Sequence, residues 1–222
     1  FDGRIVHRDS LGTDIAIKPG AVNWMVAGRG IVHSERTAAE DLGRDAPMEG
    51  IQAWVGLPSA DEETDPVFAH HAADDLPVFD RDGVTYRIIA GAAFGQSAPV
   101  TVFSPIFYLH GEAPAGSMID LPGDYAERAI YIVSGSVSVD GENHDNGRMI
   151  VFAAGAAPVI EARADTRFML LGGAPLDGKR TVWWNFVSSD PDRLEAAKRK
   201  WKSGGFDTVP GDDEEFIPLP ED

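Results

Sequence analysis

The sequence contains no cysteine. That excludes a disulfide scaffold, a Cys-ligated zinc ribbon, a thiol nucleophile and an iron–sulfur ferredoxin. Basic residues are scarce: 19 Lys and Arg stand against 36 Asp and Glu, a formal net charge of −17. A phosphate-binding surface needs a basic footprint, so this balance argues against DNA or RNA as a direct partner. No apolar run approaches the ~20 residues that a membrane-spanning helix requires. Two catalytic templates are also missing, the Gly-x-Ser-x-Gly elbow and the Gly-Lys-Ser/Thr of a phosphate-binding loop.

What is present points to a folded, strand-rich chain. A hydrophobic content of 43% argues against disorder. The 24 Gly and 15 Pro are spread along the chain rather than bunched. They punctuate short runs rich in β-branched and aromatic residues at 15–17, 51–55, 84–89, 107–109, 129–133, 136–139 and 168–171. Such runs suit a β-sandwich or a small barrel. One segment is helical: Asp190 is placed to cap it, Pro191 to open it and Gly204-Gly205 to stop it, with Leu194, Ala197 and Trp201 on one face. Beyond it, an acidic run at 212–215 is followed by an apolar one at 216–220, which predicts a tail docked on the body. Residues 58–77, with scattered Pro and acidic residues and little periodicity, read as an inter-domain connection. Similar strand-and-turn texture on both sides fits two diverged copies of one barrel.

The sharpest local feature is Gly28-Arg29-Gly30-Ile31-Val32-His33-Ser34-Glu35. Its first two glycines have the spacing of a dinucleotide fingerprint, but His33 replaces the third and no helical pattern follows. In an extended segment, residues two apart share a face. His33 and Glu35 then present an imidazole nitrogen and a carboxylate oxygen side by side, donors suited to Fe, Mn, Zn, Ni or Cu. A polar surface pair has the same spacing, so both readings stand on the residues alone. A second pair, His110-x-Glu112, has the same geometry but precedes a loop and reads as a strand end pointing to solvent. His70-His71 reads as part of the solvated connection, because adjacent extended residues point opposite ways. His7 belongs either beside a site built by the first strands or against a neighbouring carboxylate, and His144 reads as turn. Trp24-Met25 and Trp183-Trp184 read as packing.

The segment from Lys18 to Glu35, Lys18-Pro19-Gly20-Ala21-Val22-Asn23-Trp24-Met25 followed by Val26-Ala27-Gly28 and onward, closely resembles the signature of the pirin family. His7-Arg8-Asp9-Ser10-Leu11-Gly12 ahead of it is similar to bacterial pirins. So are Gly50-Ile51-Gln52-Ala53-Trp54-Val55, Asp82-Gly83-Val84-Thr85, Trp184-Asn185-Phe186-Val187-Ser188-Ser189 and the ending from Lys200-Trp201-Lys202 to Pro220. The resemblance covers essentially the whole chain, in order.

This resemblance implies an all-β bicupin: two antiparallel, jelly-roll-like β-barrels in one chain, with a short C-terminal helix and docked tail. The expected organisation is an N-terminal barrel over 1–57, the connection over 58–77, a C-terminal barrel over 78–188, and helix and tail over 189–222. The resemblance also implies one divalent metal ion in the first barrel, iron ahead of Zn, Mn, Ni or Cu, held by three His and one Glu. His33 and Glu35 match two of these ligands. The other two belong to a His-x-His motif ahead of the turn at Phe1-Asp2-Gly3, so the sequence is expected to begin inside the first barrel. The second barrel of the family generally lacks ligands.

The implied activity is quercetin 2,3-dioxygenase-like opening of a flavonol by dioxygen, with Glu35 as general base and Trp24 and Met25 lining the pocket. The alternative is a non-enzymatic, redox- or metal-sensing regulator that binds a protein partner. The expected partners are a small aromatic substrate, dioxygen and a protein with a basic face, with no direct nucleic-acid and no membrane partner. The expected location is cytoplasmic.

Overall fold

The computed structural model describes residues 1–43 and 47–221. In chain order its elements are β1 (Ile5–Asp9), β2 (Asp14–Ile17), β3 (Val22–Val26), β4 (His33–Thr37), β5 (Val67–His71), β6 (Val78–Arg81), β7 (Val84–Ala93), β8 (Gln96–Ser97), β9 (Ile106–Ala113), β10 (Glu127–Ser134), β11 (Ser136–Val139), β12 (Glu142–Asp145), β13 (Met149–Phe152), β14 (Ile160–Ala162), β15 (Thr166–Gly173), β16 (Thr181–Trp183), β17 (Phe186–Ser188) and α1 (Pro191–Lys202). Contacts divide the chain into two compact units, Phe1–Ala73 with Leu176–Asp222, and Asp74–Pro175.

The first unit holds three small sheets: β2-β1-β4, β3-β5 and the hairpin β16-β17. The β1–β2 turn is built by Asp9, whose Oδ1 accepts the backbone N–H groups of Leu11 and Thr13 at 2.9 and 3.0 Å. Short polar side chains favour such turns because they satisfy local backbone donors. Asp190 caps α1 by accepting the Asp192 N–H at 2.9 Å, Pro191 opens the helix, and Leu194 is its buried residue. The tail docks through Trp201, whose Nε1–H donates to the Ile217 carbonyl at 2.9 Å while Phe216 stacks on its ring.

The second unit carries a seven-stranded sheet, β13-β10-β15-β9-β7-β6, with β8 paired to β7. A separate three-stranded sheet, β12-β11-β14, supplies Val137, Ile160 and Ala162 to the same buried cluster as Tyr86, Leu109, Ile130 and Phe168. Period-2 alternation produces this core, as in β9, where Phe107, Leu109, Gly111 and Ala113 are buried and the residues between them are not. Asp140 and Gly141, both with positive φ, make the tight turn between β11 and β12.

The expectation of two closed β-barrels is not met. Among the described residues no sheet closes on itself; all five remain open. Closure demands that every strand pair on both sides with a consistent stagger. Here β13 and β6 end the large sheet with free outer edges, and Met149, Val151 and Val78 stay exposed there. The register of β10 against β15 shifts between Ile132 and Ser134, and the chain then leaves the large sheet to start the small one. The result is a cupin-like pair of facing sheets rather than a barrel wall.

Three local expectations also fail. Residues 51–55 pair with no strand, and Trp54 is 55% exposed. His70 and His71 lie on β5, paired with β3, instead of in a solvated loop, and His144 lies on β12 rather than in a turn.

Candidate functional site

The register of β1 with β4 sets Asp9 opposite His33 and His7 opposite Glu35. Directly paired residues of an antiparallel ladder point to the same side. One face of this small sheet therefore carries His7, Asp9, His33 and Glu35 together, while Arg8, Ser34 and Arg36 point the other way. Since β4 is an edge strand, His33 and Glu35 stay exposed. Among the described residues, neither side chain makes a hydrogen bond or ion pair.

The glycines before β4 explain their own spacing. Gly28 has φ +50, and a Cβ there would sit 2.1 Å from the Thr64 carbonyl oxygen. Gly30 has φ +131, and a Cβ there would press on the Phe206 ring at 2.8 Å. A tight turn with close backbone approach needs this pattern; no helix N-terminus follows it to receive a phosphate.

Behind the exposed pair lies a buried one. His7 Nε2 and Asp9 Oδ2 are 3.1 Å apart, with relative exposures of 2% and 0%. Burial alone would raise the Asp9 pKa, but hydrogen bonds from Thr13, His7 and Leu11 outweigh it and hold the carboxyl below its usual range. Asp9 is thus a carboxylate, and His7 donates its Nε2–H to it. The His7 ring stacks on Phe68 of β5 at 4.3 Å and on His33 at 5.6 Å. Although an edge of the His33 ring reaches solvent, desolvation of the rest lowers its pKa, against the pull of Glu35. At neutral pH its imidazole is neutral, with a lone pair available.

Through Phe68, β3 reaches the same region, because β5 pairs with it. Met25 pairs with Phe68 and Asn23 with His70, so these four share a face of the β3–β5 sheet, the face that meets His7. His70 Nδ1 lies 2.7 Å from Asn23 Oδ1. Trp24, one residue from Met25, points to the opposite side. An open groove of about 570 Å³ runs around the edge of β4, lined by Glu35, Thr37, Arg8, Arg36 and Asp212 among others. Neither Trp24 nor Met25 lines it. Arg36 closes one wall by binding Asp212 through Nε and Nη2 at 2.8 and 2.9 Å.

The donor set for a metal is partial. His33 and Glu35 offer the nitrogen and oxygen chemistry that a divalent first-row ion accepts. Among the described residues no three His, Asp or Glu side chains converge to hold one. His110 and Glu112 have different surroundings. On the central strand β9, His110 is paired with Met169 and Arg87, and Glu112 lies 3.6 Å from the Nε of Arg167.

Sequence reasoning missed Phe68, whose place beside His7 depends on a pairing between distant strands. It also missed Glu62, read as one acid of a connecting run. Glu62 is buried, with its carboxylate 2.6 Å from the Arg180 Nε and accepting from Ser188 Oγ and from the Ser189 N–H and Oγ. Arg193 donates to the carbonyls of Glu62 and Gly28, tying this anchor to the turn that leads into β4. The parity of His7 and Asp9, by contrast, is a signal that the sequence did contain.

The profile of the family described as Pirin matches residues 1–55, and that of the Pirin C-terminal cupin domain matches residues 108–207. A pirin-like protein of Caulobacter vibrioides is 49% identical over 224 residues, covering 100% of this chain and 76% of its own. Pirin-1 of Arabidopsis thaliana is 31% identical, covering 89% of this chain and 69% of its own. A crystal structure of quercetin 2,3-dioxygenase from Acinetobacter baumannii superposes with a TM-score of 0.84 at 29% identity, covering 100% of this chain and 73% of that one.

Proposed function

Since this chain belongs to the pirin family of the cupin superfamily, we propose that it is a metal-dependent dioxygenase, acting on flavonols such as quercetin. His33 and Glu35 contribute two ligands to one divalent ion, iron ahead of Zn, Mn, Ni or Cu. The family resemblance assigns the other two to a His-x-His motif ahead of Phe1. The observation that carries this reading is the shared exposed face of His33 and Glu35, neither of which, among the described residues, is hydrogen-bonded or ion-paired to another side chain. The likeness to the Acinetobacter quercetin 2,3-dioxygenase supports the reaction class.

Such an ion, when bound, supplies Lewis-acid and redox chemistry toward dioxygen that no side chain of this sequence possesses. Glu35 takes the proton of the substrate's acidic hydroxyl on a carboxylate oxygen, as a general base within reach of the groove. His33, neutral at working pH, keeps its lone pair on the ligand side. Full-length protein loaded with iron should consume oxygen when given quercetin, and His33→Ala or Glu35→Gln should abolish that uptake. Unchanged turnover in both variants overturns the reading.

The charge of −17 favours a second reading, a metal-sensing regulator that binds a protein with a basic face. Retention of metal with no oxygen uptake across a flavonol panel selects it.

A further inference from the structure

We propose that His7 is a positioning residue for His33: its ring, stacked with both Phe68 and the His33 imidazole, holds that imidazole in one orientation beside Glu35. The inference rests on the reading of His33 as a metal ligand, and it assigns work to a buried histidine that the proposed chemistry leaves unused.

The geometry leaves His7 little freedom. Its side chain is 2% exposed, so it cannot swing into solvent. Its Nε2 is fixed by Asp9 at 3.1 Å, and Asp9 is in turn fixed by two backbone N–H groups of the β1–β2 turn. One ring face lies on Phe68 at 4.3 Å, with 15° between the planes. His33 stacks on the same ring at 5.6 Å and 21°. The His7 ring thus links Phe68 of the β3–β5 sheet to His33 of the edge strand β4. The ladder explains the placement: His7 pairs with Glu35 and lies diagonally across from His33, within reach of a ring.

A histidine on an edge strand, with no hydrogen bond to fix it, would otherwise sample several rotamers. A ligand that must be ordered at binding loses affinity through that entropy, and a ring held beforehand does not. Supporting groups behind metal ligands commonly change affinity about 10- to 100-fold. A bland role as core filler predicts instead that any substitution keeping the fold leaves His33 untouched.

Full-length protein separates the two. In metal-free protein, the ring order of His33 is read by NMR relaxation at its Cε1–H group, and nickel(II) affinity is read by titration. His7→Ala should disorder the His33 ring and weaken nickel binding about 10- to 100-fold. His7→Phe keeps the stack and should restore His33 order, although it gives up the bond to Asp9. Phe68→Leu removes only the back layer and should give an intermediate loss of order, which keeps the test alive should His7→Ala fail to fold. An unchanged His33 order in folded His7→Ala, or in Phe68→Leu, overturns the proposal; so does a His7→Phe variant that folds with its His33 ring disordered. If wild-type protein takes up no nickel, the ligand reading fails on its own, while the His33 order still decides the role of His7.

Discussion

The two His-x-Glu pairs of this chain share a sequence pattern and a strand conformation, yet their surroundings differ. His33 and Glu35 lie on an edge strand of a three-stranded sheet, exposed, with another imidazole stacked behind. His110 and Glu112 lie on β9, inside a seven-stranded sheet, with strands on both sides. There Arg87 is the cross-strand partner of His110 and Arg167 that of Glu112. A cation approaching the second pair would meet the guanidinium groups of directly paired residues; the residues paired with the first are His7 and Asp9, and the arginines of its groove, Arg8 and Arg36, sit on the opposite face of the sheet. Spacing along a strand decides only which donors share a face. The neighbouring strands decide whether those donors are free to bind.

The largest effect should come from substituting the two pairs in turn. His33→Ala and Glu35→Gln should cut flavonol-dependent oxygen uptake at least about 100-fold, whereas His110→Ala and Glu112→Gln should leave it within about twofold, as read with an oxygen electrode. Equal losses from both pairs would erase the distinction.

A carboxylate buried with its cations should respond differently from the exposed Glu35. Glu62→Ala takes the buried carboxylate from Arg180, whose side chain is only 6% exposed, and the acceptor from Ser188 and Ser189, leaving Arg180 its contacts with Asp177 and the Leu57 carbonyl. It should cost about 1–3 kcal/mol in urea unfolding, while Glu35→Ala should cost less than ~1.

A smaller effect is set by pH. Burial, aided by Arg167 and Arg87, pushes the His110 pKa down from 6.5 to about 4. The unfolded chain takes up that proton below pH ~6.5, and the folded one resists it until about 4. Stability therefore falls as pH drops through this window, by about 1–3 kcal/mol, and His110→Gln should flatten that slope in thermal melts.

The smallest effect belongs to the tail. The hydrogen bond from Arg36 lowers the Asp212 pKa from 3.8 to about 2. Its contribution is present above pH ~3.8 and is lost as pH falls through about 2. The Arg36→Gln variant should lose this dependence, with tail docking followed by Trp201 fluorescence.

Much of this was legible in the chain. The Asp190-Pro191 start of α1 and the alternation of β7 and β9 follow from local propensity and period. The shared face of His33 and Glu35 follows from the two-residue repeat of a strand. The glycines at 28 and 30 showed only the spacing of an incomplete dinucleotide fingerprint, and the turn they make against Thr64 and Phe206 depends on distant residues. Other features were illegible because they depend on partners far away in the chain. Residues 51–55 have strand composition but no strand to pair with. Glu62 looks like one acid among several until Arg180 and the segment at 188–189 close around it. Barrel closure failed for the same reason, since composition marks strands but says nothing of which edges meet.

Residue identity and short-range period suffice for the family, the strand-rich character, the acidic balance and the donor types available to a metal. The open sheets, the stacking of Phe68 and His33 on His7, and the placing of one His-x-Glu pair on an edge strand and the other opposite arginines belong to the folded chain alone. Those outcomes come from strand order and register. Hydrogen bonds between distant segments set them, and no local pattern encodes them.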